Sequence, residues 1–190
     1  MAATTQARNA ETAAGNGHYR LLFFTDLMKR PVCAGSVQRR LGRLTDIVFQ
    51  LAEPYPEAVG LYLDHGWGKP TQLIPWDRVV KIDDDAIFVA PPSGGEKYPP
   101  FVDQAGWILV DKHLMGRTIL DIDGRRTEVV NDVRLLEARG RLALVDVDVS
   151  FNGFLRRWGL GGRRWVQERL ISLKYVQPLS LEDVLPTDRV

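Results

Sequence analysis

One segment of the sequence, FNGFLRRWGLGGRRWVQERL at residues 151–170, combines two Phe, two Trp and five Arg with a single acidic residue. Aromatic side chains beside cations are typical of membrane-surface helices, nucleic-acid arms and protein docking sites. Four apolar side chains fall at i, i+3, i+4 and i+7, a spacing that places them on one face of two helical turns. The spacing therefore predicts a short amphipathic helix with the apolar stripe Phe151, Phe154, Leu155 and Trp158.

Arginines flank this stripe, and a glycine cluster at residues 159–162 ends the predicted helix. Three kinds of occupant stay open for the stripe. It can pack on its own domain with the Arg stems covering the rim, dock on a partner protein that includes a second copy of this chain, or lie on an anionic membrane face. RNA is the least favoured partner. The nine candidate docking residues are Phe151, Phe154, Leu155, Arg156, Arg157, Trp158, Arg163, Arg164 and Trp165.

Acidic residues occur in short groups, but none has the convergent ligands that a metal ion requires. The run at residues 83–85 lies between two apolar segments and is typical of a solvated hairpin turn. Asp146 and Asp148 are two residues apart, as are Asp121 and Asp123, but alternation of Asp with Val also describes a half-exposed strand. The sequence therefore predicts no metal site and no cofactor.

Motifs for catalysis do not occur either. His18, His65 and His113 have no ligand-like spacing, and the sequence contains no Gly-x-Ser-x-Gly, phosphate loop or dinucleotide fingerprint. We therefore expect a protein that is not an enzyme.

Composition narrows the class of protein further. The 190 residues are 45% hydrophobic, which supports a real core, and 25 basic against 24 acidic residues give a net charge of +1, unlike a dedicated DNA-binding protein. The single cysteine, Cys33, suits a reducing cytoplasm, and we expect it to be a small buried residue. No apolar run is long enough for a transmembrane helix, and the polar N-terminus lacks the apolar core of a signal peptide.

The order of elements predicts two domains. Short apolar runs split by Gly, Pro and charged residues follow Leu21, which is typical of short antiparallel strands, and the segment PPSGGEKYPP interrupts them. The predicted organisation is a disordered lead at 1–20, a first domain at 21–90, a linker at 91–105, a second domain at 106–180 with an insert at 151–169, and a C-terminal tail at 181–190.

Blocks of the first domain recur in the second in the same order. The matched blocks are LMKRPV with LMGRTI at an offset of 87 residues, LTDIV with VNDVR at 86, VGLYLD with ALVDVD at 84, and LIPWDRVVKI with LISLKYVQPL at 97. The offset grows by 13 residues between the last two blocks, inside the aromatic, Arg-rich segment. That segment is therefore predicted to be an enlarged loop between two strands of the second copy.

Four residues in these blocks are predicted to be structural anchors. Asp46 and Asp132 occupy equivalent places, each before an apolar strand, where an Asp carboxylate can accept hydrogen bonds from backbone N–H groups. Pro75 suits a strand start or edge, and Trp76 supplies a large buried area.

The recurring blocks resemble the PRC-barrel family, small β-barrels named for the cytoplasmic subunit of the photosynthetic reaction centre. The resemblance lies in LMKRPV, RRLGRLTDIVFQL, AVGLYLD and LIPWDRVVKID, and in LMGRTILDIDGRR, VVNDVRLL and LALVDVDV of the second copy. The second copy departs from it where Ile171, Ser172 and Leu173 replace Ile-Pro-Trp. The resemblance implies a mainly all-β fold of two tandem, small SH3-like barrels joined by a Pro/Gly linker, with a short helical insert in the second.

The tandem arrangement is similar to the cytoplasmic region of some MgtE-type magnesium transporters. This resemblance implies a cytoplasmic regulatory or assembly module that docks on a partner protein of such a system, at the cytoplasmic face of the inner membrane. PRC barrels also occur in ribosome-maturation factors, so a ribosome- or RNA-associated adaptor is the alternative. The low net charge favours a protein partner over nucleic acid.

Overall fold

The computed structural model describes residues 19–28, 30–35, 39–64, 71–92, 97–150, 153, 155 and 169–178. Strands make up 55% of this part of the chain and helices are few, so the prediction of a mainly all-β fold is confirmed. The strands form a curled sheet that closes about half of a barrel. We refer to residues 19–92 as the first half and to residues 97–178 as the second half.

The described residues of the first half form seven strands, one short helix and one 3₁₀ turn. Their bounds are β1 Tyr19–Phe23, α1 Phe24–Leu27, β2 Pro31–Ala34, β3 Arg39–Gln50, β4 Glu57–Asp64, β5 Gln72–Pro75, the 3₁₀ turn Trp76–Arg78, β6 Val79–Ile82 and β7 Ile87–Val89.

The second half repeats much of this order. Its elements are β8 Trp107–Leu109, α2 Val110–His113, β9 Thr118–Asp121, β10 Arg126–Val129, β11 Asp132–Ala138, β12 Arg141–Asp148, β13 Leu170–Ser172, the 3₁₀ turn Leu173–Tyr175 and β14 Val176–Pro178. We call β1 with α1, and β8 with α2, the two strand–helix units.

One large sheet runs through both halves in the order β1-β11-β12-β4-β3-β2-β7-β6, with β13 beside β12, β5 beside β4 and β8 beside β3. A smaller sheet has the order β10-β9-β14. The first strand of each half therefore pairs with the opposite half, because β1 lies on β11 and β8 lies on β3. The sequence analysis assigned these strands to separate barrels and did not anticipate the exchange.

In the central strands of the large sheet, the registers of the two halves correspond at a spacing of 86 residues. Asp46 pairs with Tyr62 in the first half, and the residues 86 positions later, Asp132 and Asp148, pair with each other in the second. The exchanged strands follow the same rule: Leu22 pairs with Leu135, and Ile108 pairs with Phe49. The matched blocks VGLYLD and ALVDVD therefore lie two residues out of the register that the hydrogen bonds define.

The two halves meet at a point where equivalent residues face each other. Glu57 of β4 pairs with Ala143 of β12, and these two residues are themselves 86 positions apart. Arg141 adds an ion pair to Glu57 with an N–O distance of 3.1 Å. A contact between equivalent residues is the mark of a two-fold interface, so the halves are arranged like the subunits of a C2 dimer.

The core is continuous between the halves. Its largest fully buried side chains come from both halves and include Phe24, Phe49, Leu27, Leu44, Ile47, Leu61, Leu63, Ile74, Ile87, Ile119, Leu135 and Leu142. Burial of a Leu, Ile or Phe side chain stabilises the folded state by about 1.5–3 kcal/mol, so this shared core is the main force that holds the halves together.

Arg20 joins the two end strands of the large sheet. Its guanidinium donates hydrogen bonds to the Glu137 carboxylate on β11, at 2.7 and 3.0 Å, and to the carbonyl oxygen of Ile82 at the end of β6, at 2.7 Å. The first and last strands of the eight-strand path are thereby held near each other, which explains the curl of the sheet.

The described part of the predicted linker packs against the first half. Leu73 N–H donates to the Pro99 carbonyl oxygen at 3.1 Å, and Phe101 N–H donates to the Thr71 carbonyl oxygen at 3.1 Å. The Tyr98 ring is buried, and its hydroxyl donates to the Ala90 carbonyl oxygen. Residues 97–101 are thus bound to the edge of β5.

Gly60 allows β4 and β5 to approach closely. A Cβ atom at this position would lie 2.6 Å from Leu73 Cδ1 and 2.8 Å from the Ile74 carbonyl oxygen. Because one of these neighbours is backbone, Gly60→Ala should force the strands apart and lower the free energy of unfolding by about 1–3 kcal/mol. Urea unfolding of the two proteins measures this loss, and equal midpoints would contradict the close approach.

Candidate functional site

The aromatic, Arg-rich segment connects two neighbouring strands. Asp148, the last residue of β12, pairs with Leu170, the first residue of β13, and Val149 N–H donates to the Arg169 carbonyl oxygen at 3.0 Å. Residues 150–168 therefore leave and rejoin the sheet side by side, as a loop between antiparallel strands. We call residues 150–168 the docking loop.

Most candidate docking residues lie outside the part of the chain that the structure describes. These are Phe151, Phe154, Arg156, Arg157, Trp158, Arg163, Arg164 and Trp165. Leu155 is described: it is half-buried, and it and Gly153 have helical backbone. The prediction of an amphipathic stripe therefore remains a prediction.

The start of the docking loop is built on buried polar groups. Asp148 is fully buried, and its carboxylate accepts a hydrogen bond from Ser150 N–H at 2.8 Å. Asn131 Nδ2 donates to the Ser150 carbonyl oxygen at 3.2 Å, and Gly153 N–H donates to the same oxygen at 3.1 Å. Buried polar groups with these partners hold a single backbone conformation, so the root of the loop is rigid.

The interpretation of Asp146 and Asp148 as residues of one half-exposed strand is wrong for Asp148. Asp146 is half-buried and forms an ion pair with Arg134, with an N–O distance of 2.5 Å. Asp148 is buried because the turn through Ser150 and Gly153 folds back over the end of β12.

One arginine of the segment is engaged at the end of the loop. Arg169 Nη2 lies 2.5 Å from Glu128 Oε1, and Arg126 Nε lies 2.8 Å from the same oxygen. Both arginines are partly exposed, so these ion pairs contribute little to stability. They nevertheless direct Arg169 toward the smaller sheet.

The two predicted Asp anchors receive hydrogen bonds from the exchanged strand–helix units. The Asp46 carboxylate accepts bonds from Ile47 N–H at 2.8 Å, from Asp111 N–H at 3.0 and 3.1 Å, and from Lys112 N–H at 3.2 Å. Asp111 and Lys112 belong to α2 of the opposite half. Asp46 is 3% exposed and lies inside β3 at a register shift, whereas the sequence placed it before a strand.

Asp132 of the second half makes the equivalent contacts with the helix of the first half. Its carboxylate accepts bonds from Val133 N–H at 2.8 Å, Thr25 N–H at 3.2 Å and Thr25 Oγ1 at 2.6 Å. Thr25 belongs to α1 of the first half and lies 86 residues before Asp111. Each carboxylate thus binds the next amide of its own strand and the first turn of the helix that the other half supplies.

Burial changes the acid–base behaviour of Asp46. Desolvation is the largest effect and raises the pKa of Asp46 from 3.8 to about 6, while the amides of Asp111, Ile47 and Lys112 act in the opposite direction. The folded protein therefore keeps a proton on Asp46 in a pH range where the unfolded chain has released it.

The 3₁₀ turns also reach across to the opposite half. Trp76 Nε1 donates to the Gly140 carbonyl oxygen at 2.9 Å, in the turn between β11 and β12. Lys174 Nζ lies 4.9 Å from the ring centroid of Tyr55, in the connection between β3 and β4. Pro75 ends β5 opposite Gly60, so its missing N–H lies at the end of a short strand.

The acidic run and the cysteine noted in the sequence lie in a turn and in a strand of the first half. Residues 83–86 form the turn between β6 and β7, where Arg30 donates to the Asp83 carbonyl oxygen at 2.5 Å. No group of three His, Cys, Asp or Glu residues within the described ranges could hold a metal ion. Cys33 was predicted to be buried and is half-buried, because the adjacent Val32 and Ala34 face the core on the alternate positions of β2.

Sequence reasoning missed the partners of the two Asp anchors. Thr25 and Asp111 occupy equivalent positions but differ in residue type. Thr25 donates through its hydroxyl and its amide, whereas Asp111 donates through its amide only. The usable signal was their common spacing of 86 residues from each other, which equals the spacing of Asp46 and Asp132.

The raised pKa of Asp46 predicts a pH dependence of stability. Since the folded pKa exceeds the unfolded one, the contribution of this group is fully present below about pH 4 and is lost as the pH rises through about 6. Between pH 4 and 7 the free energy of unfolding should therefore fall by about 2 kcal/mol relative to that of Asp46→Asn, which cannot titrate. Urea titrations of both proteins measure the difference, Asp123→Asn is the matched control at an exposed acid, and a pH-independent difference would refute the assignment.

Gly153 is the tightest point of the loop root. A Cβ atom there would lie 3.0 Å from Asp148 Oδ2 and 3.0 Å from Asn131 Cβ. Gly153→Ala should therefore lower the free energy of unfolding by about 1 kcal/mol, because the buried carboxylate must shift. Chemical denaturation tests this, and an unchanged midpoint would show that the root can accommodate a side chain.

Comparison with known proteins bears on the first half. No curated protein matches this chain. The described residues contain no helix that is both long and apolar enough to span a membrane. A protein-family model, the PRC-barrel domain, matches residues 20–96, which include β1 to β7. The chain therefore contains a PRC-barrel domain at residues 20–96.

Proposed function

We propose that this chain is a non-enzymatic docking module made of two tandem PRC barrels, and that it regulates or assembles an MgtE-type magnesium transport system at the cytoplasmic face of the inner membrane. The tandem part of the proposal is supported by the constant spacing of 86 residues between equivalent strand pairs, exchanged strands and Asp anchors. The transport part is supported by the sequence resemblance.

The observation that carries the docking role is the rigid root of the docking loop. Binding surfaces are commonly loops that a rigid scaffold positions. Here the scaffold is the paired ends of β12 and β13, fixed by the buried Asp148 and Ser150. Trp and Arg residues, which dominate protein interfaces, are concentrated in the segment that this root carries.

The buried polar groups support a binding role over catalysis. The PRC-barrel family is a non-catalytic domain family. Asp46, Asp132 and Asp148 are buried, and each accepts hydrogen bonds from backbone N–H groups. Every buried side-chain N or O atom of the described residues has a hydrogen-bond partner. These carboxylates therefore serve the fold, and a general base or a nucleophile would need a different environment.

A module of this kind acts through differential binding. If the docking loop binds one conformation of its partner more tightly than another, docking shifts the partner toward that conformation by the ratio of the two affinities. The magnesium concentration would then act on the partner and change how strongly the module is held.

The proposal is tested by binding of the purified chain to an MgtE-type transporter in detergent, followed by size-exclusion chromatography with and without magnesium. We expect co-elution, with loss of at least tenfold in affinity for Trp158→Ala with Trp165→Ala, since interface Trp residues commonly contribute 2 kcal/mol or more, about a thirtyfold change. The matched control is Tyr175→Ala, an exposed aromatic residue outside the loop.

Two further arms separate the alternatives. Binding to vesicles rich in anionic lipid, but not to neutral vesicles or to the transporter, would assign the loop to the membrane surface. A salt-sensitive RNA shift that disappears when Arg156, Arg157, Arg163 and Arg164 are replaced by Ala would assign it to RNA. Absence of transporter binding at every magnesium concentration would overturn the proposal.

A further inference from the structure

Both strand–helix units are seated on the opposite half of the molecule. β1 pairs with β11 along five residues, and β8 pairs with β3 along three. The apolar side chains that follow, Phe24 in α1 and Val110 in α2, are fully buried. Each half thus completes the sheet and the core of the other.

The acceptor surface has the same three parts in each half. It consists of a strand edge that receives β1 or β8, a buried Asp carboxylate that receives the first helical turn, and a core that receives the apolar residue of that turn. Removal of a unit would take from Asp46 or Asp132 the donors that the helix supplies, and would uncover the apolar core on which the helix packs. A half without its donor unit is therefore incomplete.

Contacts outside the units have the same reciprocal form. Trp76 of the first half binds the hairpin turn of the second at Gly140, and Lys174 of the second half packs on Tyr55 in the corresponding connection of the first. At the centre, Glu57 faces Ala143. An interface in which equivalent elements meet is self-complementary, which is the property of homodimer interfaces.

We infer that the two halves bind each other as separate subunits would, and that the acceptor surface on each half also fits the strand–helix unit of a second copy of this chain. The peptide connection through residues 93–96 is then dispensable for assembly. This inference rests on the strand pairing and on the reciprocal contacts of the two halves, and it is independent of any transporter.

The test uses the full chain with residues 93–96 replaced by a protease site and cut after folding. The two halves should co-elute at the size of the uncut chain and keep its far-UV circular dichroism spectrum. Separated in denaturant and refolded alone, neither half should regain its share of the β signal, and mixing should restore it. A half with an affinity tag, refolded with untagged partner from a different preparation, should form the hybrid pair.

A single substitution measures how much the contact of α1 with Asp132 contributes to the association of the halves. Thr25→Val removes the hydroxyl that lies 2.6 Å from Asp132 Oδ2 while it preserves the shape of the side chain. It should weaken association of the cut halves about tenfold or more, as expected for a lost hydrogen bond to a charged group. Thr127→Val, at an exposed position of β10 within one half, is the matched control and should leave association unchanged.

Several results would overturn the inference. They are separation of the halves on cutting without denaturant, independent refolding of either half to its full β signal without affinity for the other, and equal effects of Thr25→Val and Thr127→Val. Failure of transporter binding would leave all of these measurements unaffected, so the two proposals can fail separately.

Discussion

The structure depends on two buried carboxylates that complete helices belonging to the other half of the chain. A helix of four residues has no internal partner for its first N–H groups, and these groups cannot be left unbonded where the helix is buried. Asp46 and Asp132 supply the acceptors, and each is fixed in turn by the next amide of its own strand. Because donor and acceptor lie in different halves, local helix formation and global assembly are the same event.

The reciprocal arrangement also explains where the halves differ. The pairings of β1 with β11 and of β3 with β4 recur 86 residues later, whereas β9 pairs with β10 in a different register from β2 with β3. β7 has no counterpart in the described residues of the second half, where β14 pairs directly with β9. Such differences lie away from the contact between Glu57 and Ala143. Elements near the two-fold axis are constrained by both halves, whereas elements remote from it can change length without disturbing the interface.

Much of the fold could be predicted from the sequence, because alternating apolar residues define strands and their faces. The pairing partners of the strands could not be predicted. A period of two indicates which face of a strand is buried, but it does not indicate which strand lies at each edge. The same property explains the error in matching VGLYLD to ALVDVD: a shift of two residues keeps every side chain on its face, so the pattern cannot detect it. The strand pairing, in which Asp46 lies opposite Tyr62 and Asp132 lies opposite Asp148, defines the register instead.

The position of the candidate segment between two strands could be predicted from the sequence. The buried polar residues that hold its first turn could not. The change of offset between matched blocks located the docking loop between β12 and β13, and the aromatic composition identified it as a candidate surface. The burial of Asp148 was not predictable, because it depends on Ser150, Gly153 and Asn131, which meet only after the loop has turned back. Polar residues at such turns look like ordinary loop residues until their partners are known.

The placement of the loop links the proposed docking surface to the interface between the halves. β12 pairs with β13 at the loop root, with β11, which receives the exchanged β1, and with β4 at Ala143. A strand with three neighbours is more rigid than an edge strand. A loop attached to such a strand therefore loses less conformational entropy on binding, and more of the contact energy contributes to affinity. The exchange of strand–helix units supports this frame indirectly, because β1 covers the outer edge of β11 and so makes the neighbour of β12 an interior strand as well.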